Sequence, residues 1–234
     1  MCTVTFIPKP NTDFILTSNR DEAPGRDTFF PEIYHENSVD LLYPRDAIAG
    51  GTWIGVSKRK RAVTLMNGGY EAHKRKQFYA RSRGLIVKDL LVVNDVKRYS
   101  EIYNFSEIEP FTAIVVEFAE KLNLFQLVWT GEKIDFRELS AKPRIWSSSP
   151  LYPPHLDQKR KIWFSEFLKG EKLNAADVLH FHQTAGEGDP VSDLIMDRDF
   201  VKTKSTTQIQ KEGRMLTMYY HDLESDKRSL MELE

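Results

Sequence analysis

Thr3-Val4-Thr5-Phe6-Ile7-Pro8, then Lys9-Pro10-Asn11-Thr12, then Asp13-Phe14-Ile15-Leu16-Thr17-Ser18 is the stretch that decides the fold. Two short runs rich in β-branched and aromatic residues flank four residues of turn composition, which reads as an antiparallel hairpin. A turn centred near residues 10 and 11 places Cys2 opposite Asn19, on strands roughly 4.8 Å apart. Side chains alternate across a strand, so Asn19 and Asp21 are expected on the face of Cys2, and Arg20 on the other. The hairpin thus gathers a thiol and the polar block Asn19-Arg20-Asp21-Glu22 at one strand end.

The same signal recurs downstream. Residues 51–56 and 62–66 flank Ser57-Lys58-Arg59-Lys60-Arg61, and further pairs run over 111–118 with 123–130 and over 200–209 with 215–221. Helical spacing appears at 84–93 behind the N-cap candidate Ser82, at 155–169, and at 174–184 behind Asn174. Strand pairs interleaved with helices, without strict alternation, predict an α+β fold with mainly antiparallel sheets and argue against a doubly wound parallel sheet. With no internal repeat or Gly/Ser linker, residues 1–234 are expected to form a single domain, its charged tail loose from about 224.

Composition narrows the function classes. The chain has 234 residues, 33 basic and 34 acidic, so its formal charge of −1 gives no global attraction for polyanions. No nucleic-acid partner is expected, and the Lys58–Arg61 run reads as a solvated hairpin tip. No stretch approaches the ~18 apolar residues of a membrane span. The first twenty residues lack the pattern of a secretory signal, from which a cytoplasmic location is expected. One cysteine forbids an internal disulfide and multi-thiolate zinc sites. His180 and His182 point in different directions on a helix, so no metal is expected, and no cofactor either.

What remains is nucleophilic chemistry. A thiolate is the reactive form of cysteine, and nearby positive charge favours it. Loss of Met1 would make Cys2 the first residue, and an α-amine with a pKa of about 7.7–8.0 can take up the thiol proton. Asp21 would orient that amine, and Arg20 would hold a substrate carboxylate or developing negative charge. Asn19, Arg20 and Glu22 are candidate substrate-binding residues, joined by His73 and Arg75 in the basic segment that follows Asn67-Gly68-Gly69.

Met1-Cys2-Thr3, Thr17-Ser18-Asn19-Arg20-Asp21-Glu22, Gly50-Gly51-Thr52-Trp53-Ile54-Gly55, Met66-Asn67-Gly68-Gly69 and Thr203-Lys204-Ser205-Thr206-Thr207 together resemble the NRDE family, also called the transport and Golgi organisation 2 family. The likeness covers nearly the whole chain. That family in turn resembles N-terminal-nucleophile hydrolases of the penicillin V acylase and bile salt hydrolase kind, which implies a four-layer αββα sandwich. It also implies Cys2 as nucleophile, Asp21 as its carboxylate partner and Asn67 as an oxyanion donor. Ser148 stands where the acylases carry a second asparagine, and Ser18 where they carry an arginine. Two readings follow: a hydrolase of a non-peptide amide bond in a small acylated molecule, or a non-catalytic carrier of haem or of an amphipathic, carboxylated, acyl-CoA or lipid-like ligand in the same pocket. A third is an interaction protein on an old enzyme fold. Oligomeric state is not encoded in any of these features.

Overall fold

The computed structural model describes residues 2–170 and 173–234, with backbone alone at Cys2. In chain order the elements are β1 (Cys2–Pro8), β2 (Phe14–Glu22), β3 (Thr28–Glu36), β4 (Val39–Asp46), β5 (Ile54–Ser57), β6 (Arg61–Asn67), α1 (Arg83–Val92), α2 (Val96–Ile102), β7 (Phe111–Glu117), β8 (Asn123–Trp129), β9 (Ile134–Leu139), β10 (Arg144–Ser147), α3 (Pro154–Phe167), α4 (Ala175–Thr184), β11 (Lys202–Glu212), β12 (Met215–Asp222) and β13 (Arg228–Glu232). They form two antiparallel sheets. The first is ordered β10-β1-β2-β11-β12-β13 and the second β3-β4-β5-β6-β7-β8-β9.

Each sheet is apolar on both faces, and this dictates four layers. Val4, Phe6 and Leu16 of the first sheet meet Ile54, Val56 and Ile114 of the second in a core between the sheets. On the outside of the first sheet, Ile7 and Ile15 pack under Phe164 of α3 and Phe181 of α4. On the outside of the second, Val63 and Leu65 pack under Ile86 and Leu90 of α1. The order of layers is therefore helices, sheet, sheet, helices, as the α+β reading expects. Among the described residues, no helix is long and apolar enough to cross a membrane.

The founding hairpin forms, but one residue out of the expected register. Its loop spans Lys9 to Asp13, closed by Lys9 N–H on the Asp13 carbonyl at 2.8 Å, with Asn11 in the left-handed region at φ 62°. A five-residue loop centred on Asn11 pairs Pro8 with Phe14, Thr3 with Asn19 and Cys2 with Arg20. Cys2 thus lies opposite Arg20, not Asn19. Because the side-chain period is two, a slip of one residue exchanges the faces. The face shared by position 2 is that of Val4 and Arg20, whereas Asn19 and Asp21 belong to the face of Thr3.

Other differences have local causes. Strands β3 and β4 carry Pro31 and Pro44, which weaken a strand signal. Here β3 is a sheet edge, and Pro44 sits opposite a bulge between Phe29 and Glu32. The tail expected to be loose from about 224 instead forms β13, because Met231 packs on the inter-sheet core and Leu233 is buried there. In the basic run, Lys58, Arg59 and Lys60 are exposed at the tip, but Arg61 is buried. Its guanidinium donates to the carbonyls of Leu90, Val93 and Asn94 and so closes the C-terminus of α1.

At the other end of α1, Gly51 and Gly84 touch. A Cβ on Gly51 would lie 2.5 Å from the Gly84 carbonyl carbon, so backbone would have to move. Gly51→Ala is expected to lower stability by about 1–3 kcal/mol, the usual cost of overpacking, measured by urea denaturation. Unchanged stability would mean that α1 is not held by this contact.

Candidate functional site

The last four residues of strand β2, Asn19 to Glu22, are polar, the first three of them buried, and the pleat sends them to two different environments. On the helix side, the Asn19 amide donates to the carbonyls of His182 and Leu194, and its oxygen accepts from Thr206 at 3.0 Å. His182 Nδ1 lies 3.1 Å from the same oxygen, and Nε2 lies 2.7 Å from Thr5 Oγ1. That oxygen can only accept, so Nδ1 carries a proton, and in the neutral ring Nε2 accepts from Thr5. Burial is what keeps His182 neutral. Burial, aided by the Arg160 cation, pushes its pKa down to about 3. Asn19 ties the sheet to α4 and makes no use of its amide towards a cleft.

Asp21 follows on the same side, fully buried. Tyr152 donates to one carboxylate oxygen at 2.6 Å and Thr203 to the other at 2.7 Å. Burial raises its pKa, opposed by those two hydroxyls and by Arg160. Arg160 is itself fully buried, stacked 3.5 Å from the centre of the Tyr152 ring, and donates to Thr3 and to the carbonyls of Ser192 and Asp193. One cation thus links the residue after Cys2 to the tyrosine that holds Asp21. Sequence reasoning missed Tyr152, Arg160 and Thr203, which have no spacing relation to Asp21. Only the Thr203–Thr207 segment carried a hint.

Arg20 points between the sheets. It is bound to Asp46 at 2.6 Å, donates to Thr28, and lies 4.6 Å over Trp53. Arg26 shares Asp46 at 2.7 Å and meets Glu22 at 3.5 Å. Asp46 is held below the usual carboxylate range, against the cost of burial, by Arg26, by the Ala49 N–H and by Arg20. Glu22 is likewise lowered despite its burial, with Arg26 and Arg20 among the causes. With Arg83 and Asn67 these residues line a recess of about 80 Å³. Arg83, pushed by burial to a pKa of about 10, meets Glu109 at 3.0 Å. His73 at 3.2 Å and Arg75 at 3.6 Å converge on that same carboxylate. The basic segment is thus anchored by Glu109, which sequence reasoning had not singled out.

Asn67 stands where the recess meets a second, larger cleft. Strand β6 ends there, opposite Phe111. Gly68 follows at φ 85°, in the left-handed region, and a Cβ on it would fall 2.4 Å from Pro150 and Ser149. This close approach lets the Ser147–Pro150 segment cross over Asn67. Ser148 is buried, and its hydroxyl donates to the Asn67 carbonyl at 2.8 Å. Among the described residues the Asn67 side-chain amide has no hydrogen-bond partner. The cleft holds about 600 Å³ between Met66, Ile145, Trp146, Tyr152 and Lys161, and includes Asn67 and Ser148 in its wall. Such a volume suits a drug-sized ligand.

Position 2 belongs at the inner end of this arrangement. Its Cα partner is Arg20 on one side, while on the other Thr3 pairs with Ser147, the residue before Ser148. The thiol of Cys2 lies outside the described residues. Asp21, Asn67 and Ser148 are therefore brought to one strand end with the backbone of Cys2, Arg20 and Glu22 line the neighbouring recess, and His73 and Arg75 stand behind Glu109. Among the described residues, no group of three or more His, Cys, Asp or Glu side chains is placed to hold a metal ion.

Two antiparallel sheets between helical layers, with the polar strand ends meeting at one edge, define the N-terminal-nucleophile hydrolase fold. Solved structures agree. A variant of the conjugated bile acid hydrolase of Clostridium perfringens matches with a TM-score of 0.64 at 10% identity, over 100% of this chain and 92% of that one. The N-acylethanolamine-hydrolyzing acid amidase ortholog of Caenorhabditis elegans gives 0.63 at 14% identity, over 100% of both. Penicillin V acylase of Agrobacterium tumefaciens gives 0.57 at 7%, over 99% and 86%. No curated sequence matches. The chain belongs to the Transport and Golgi organisation 2 family, whose model matches residues 1–212.

The neutral His182 makes stability depend on pH. An unfolded chain binds a proton at this residue below about pH 6.5, and the fold rejects it until about 3. Its contribution is full above 6.5 and is lost as pH falls, by up to about 1.4 kcal/mol per unit. Asp21, with its raised pKa, acts with the opposite sign. Melting temperature is expected to fall from pH 7 to 5, and to fall less steeply in His182→Gln. Parallel slopes would contradict the assignment.

Proposed function

We propose that the chain is an N-terminal cysteine hydrolase that cleaves a carbon–nitrogen amide bond in a small acylated molecule. One observation carries this reading. The backbone start of β1, where Cys2 sits, is flanked in register by Arg20 and by the strand leading to Ser148, beside a cleft whose wall holds the Asn67 amide, which has no hydrogen-bond partner among the described residues. With Met1 removed, the α-amine of Cys2 takes the thiol proton, and the thiolate attacks the amide carbonyl carbon. The Asn67 amide holds the oxyanion. Collapse breaks the carbon–nitrogen bond, the leaving nitrogen takes the proton from the α-amine, and water then hydrolyses the thioester.

The other residues support this sequence. Asp21 accepts one hydroxyl at each oxygen and has lone pairs left to orient the amine. Ser148 acts through Asn67, since its hydroxyl proton is already directed at the Asn67 carbonyl. Arg20 sets positive charge opposite Cys2, and with Glu22 lines the recess for the polar end of the substrate. Met66, Ile145 and Trp146 suit the acyl part. Asn19 is a positioning residue that holds β2 to α4, while His73 and Arg75 border the site through Glu109.

Intact mass of the purified chain tests the nucleophile. The expected result is loss of Met1 and a covalent adduct with a cysteine-directed acylating probe in wild type, absent in Cys2→Ser. On a substrate that turns over, Asn67→Ala is expected to lower kcat by about 10²–10³, with little change in KM. Retention of Met1, or identical behaviour of wild type and Cys2→Ser, would overturn the reading.

The hydrogen bond of Ser148 to Asn67 favours a second reading, because it engages the donor that stands where a second oxyanion amide is expected. In that case the cleft binds an amphipathic carboxylated ligand, haem or acyl-CoA, without cutting it. A Soret band with haem, or a rise in melting temperature with acyl-CoA in both wild type and Cys2→Ser, would support the carrier.

A further inference from the structure

The loops at the site end of the sandwich carry exposed apolar and basic side chains that neither the fold nor the proposed chemistry uses. Register places them there. Asn67 pairs with Phe111, and Phe111 with Trp129, so the loops that follow β6 and precede β7 leave from the edge that holds the site. The loop after β4 reaches the same edge, since Ala49 lines the recess together with Asn67 and Ser82. Ile48 in that loop is 74% exposed, and Phe78, in the segment after β6, is 72% exposed. Single exposed apolar residues are ordinary. Two large ones on segments that border the recess and the cleft are a feature to explain.

Between them lies His73-Lys74-Arg75-Lys76. Residues 70–79 form no helix or strand, and the segment is tied down at its end by Ala80 N–H on the Glu107 carbonyl. Arg75 is 78% exposed, with its guanidinium 3.6 Å from Glu109. Lys74 and Lys76 are exposed and, among the described residues, have no carboxylate partner. The 70–79 segment is therefore locally basic and apolar, although the whole chain is close to neutral.

A local cluster of cations around exposed large apolar side chains is the pattern that seats a protein on an anionic lipid surface. The apolar groups enter the boundary region and the cations meet the headgroups. We infer that the 70–79 segment, with Ile48 beside it, docks the cleft mouth on an anionic phospholipid surface. The inference goes beyond the catalytic reading and stands without it, because docking involves neither Cys2 nor Asn67. It has a consequence for orientation: the cleft, lined by Tyr70, Glu71 and Ala72 at the start of this segment, opens alongside the headgroups. An amphipathic acyl ligand would then enter from the lipid and not from bulk water.

Co-sedimentation of the full chain with vesicles tests this. Vesicles of phosphatidylcholine containing phosphatidylserine are compared with pure phosphatidylcholine at low and raised salt. The wild-type chain is expected to sediment with the anionic vesicles only, and less as salt increases. The double variant Lys74→Gln with Lys76→Gln should partition about thirtyfold more weakly, at about 1 kcal/mol per basic residue near the surface. Phe78→Asp should abolish binding, and all variants should keep the wild-type melting temperature, since each side chain is exposed. Absence of sedimentation, equal binding to both vesicle types, or wild-type binding by the variants would overturn the inference. So would self-association of the chain that Phe78→Asp disrupts, which would make this patch a contact between copies.

Discussion

The pairing of β1 with β2 is the constraint on which the rest depends. A loop centred on Asn11 sets Cys2 against Arg20, and everything at the site follows from that register. Arg20 is turned between the sheets, where Asp46 and Trp53 hold it, and Asp21 is turned towards the helices, where Tyr152 and Thr203 hold it. A slip of one residue would carry a guanidinium into the Asn19 network and a carboxylate into the inter-sheet core. Each would lose its partners, and an unpaired buried charge is costly. The polar strand end therefore specifies register as firmly as the apolar pattern does.

Two buried networks lock the arrangement from opposite sides. On the helix side, Arg160 reaches Thr3, the Tyr152 ring and the chain at Ser192 and Asp193, so that α3, β1 and the loop before β11 share one cation. Between the sheets, Asp46 binds both Arg20 and Arg26, and at the edge of the recess Glu109 meets Arg83 and His73, with the exposed Arg75 beside them. Each cation group has a carboxylate or carbonyl partner, as buried charges require. Asn67 differs. Its backbone is fixed by Ser148 while its amide is left facing the cleft, which is the condition for a group whose partner arrives with the ligand.

Much of this was legible in the amino-acid sequence, and the rest was hidden for physical reasons. Local chemistry marks the hairpins around 57–61 and 119–122 and the caps Ser82 and Asn174, and the structure shows both caps in use. Strands β3 and β4 were obscured by Pro31 and Pro44, which an edge position and a bulge accommodate. The exact register of β1 was not readable, because residues 9–13 allow a four- or a five-residue turn and only the folded loop selects one. Asp21 and Asn67 stood out by motif. Their partners Tyr152, Thr203 and Ser148 lie 131, 182 and 81 residues away respectively, and only the topology brings them in.

The proposed chemistry rests on one electrostatic condition: the lone cysteine, whose backbone pairs in register with a buried arginine, is proposed to ionise more readily than a free thiol. The rate of alkylation of the mature chain by iodoacetamide, followed by mass across pH, reads that property without knowledge of any substrate. The account predicts a midpoint well below the ordinary thiol value of about 8.5. A midpoint at or above that value would contradict it.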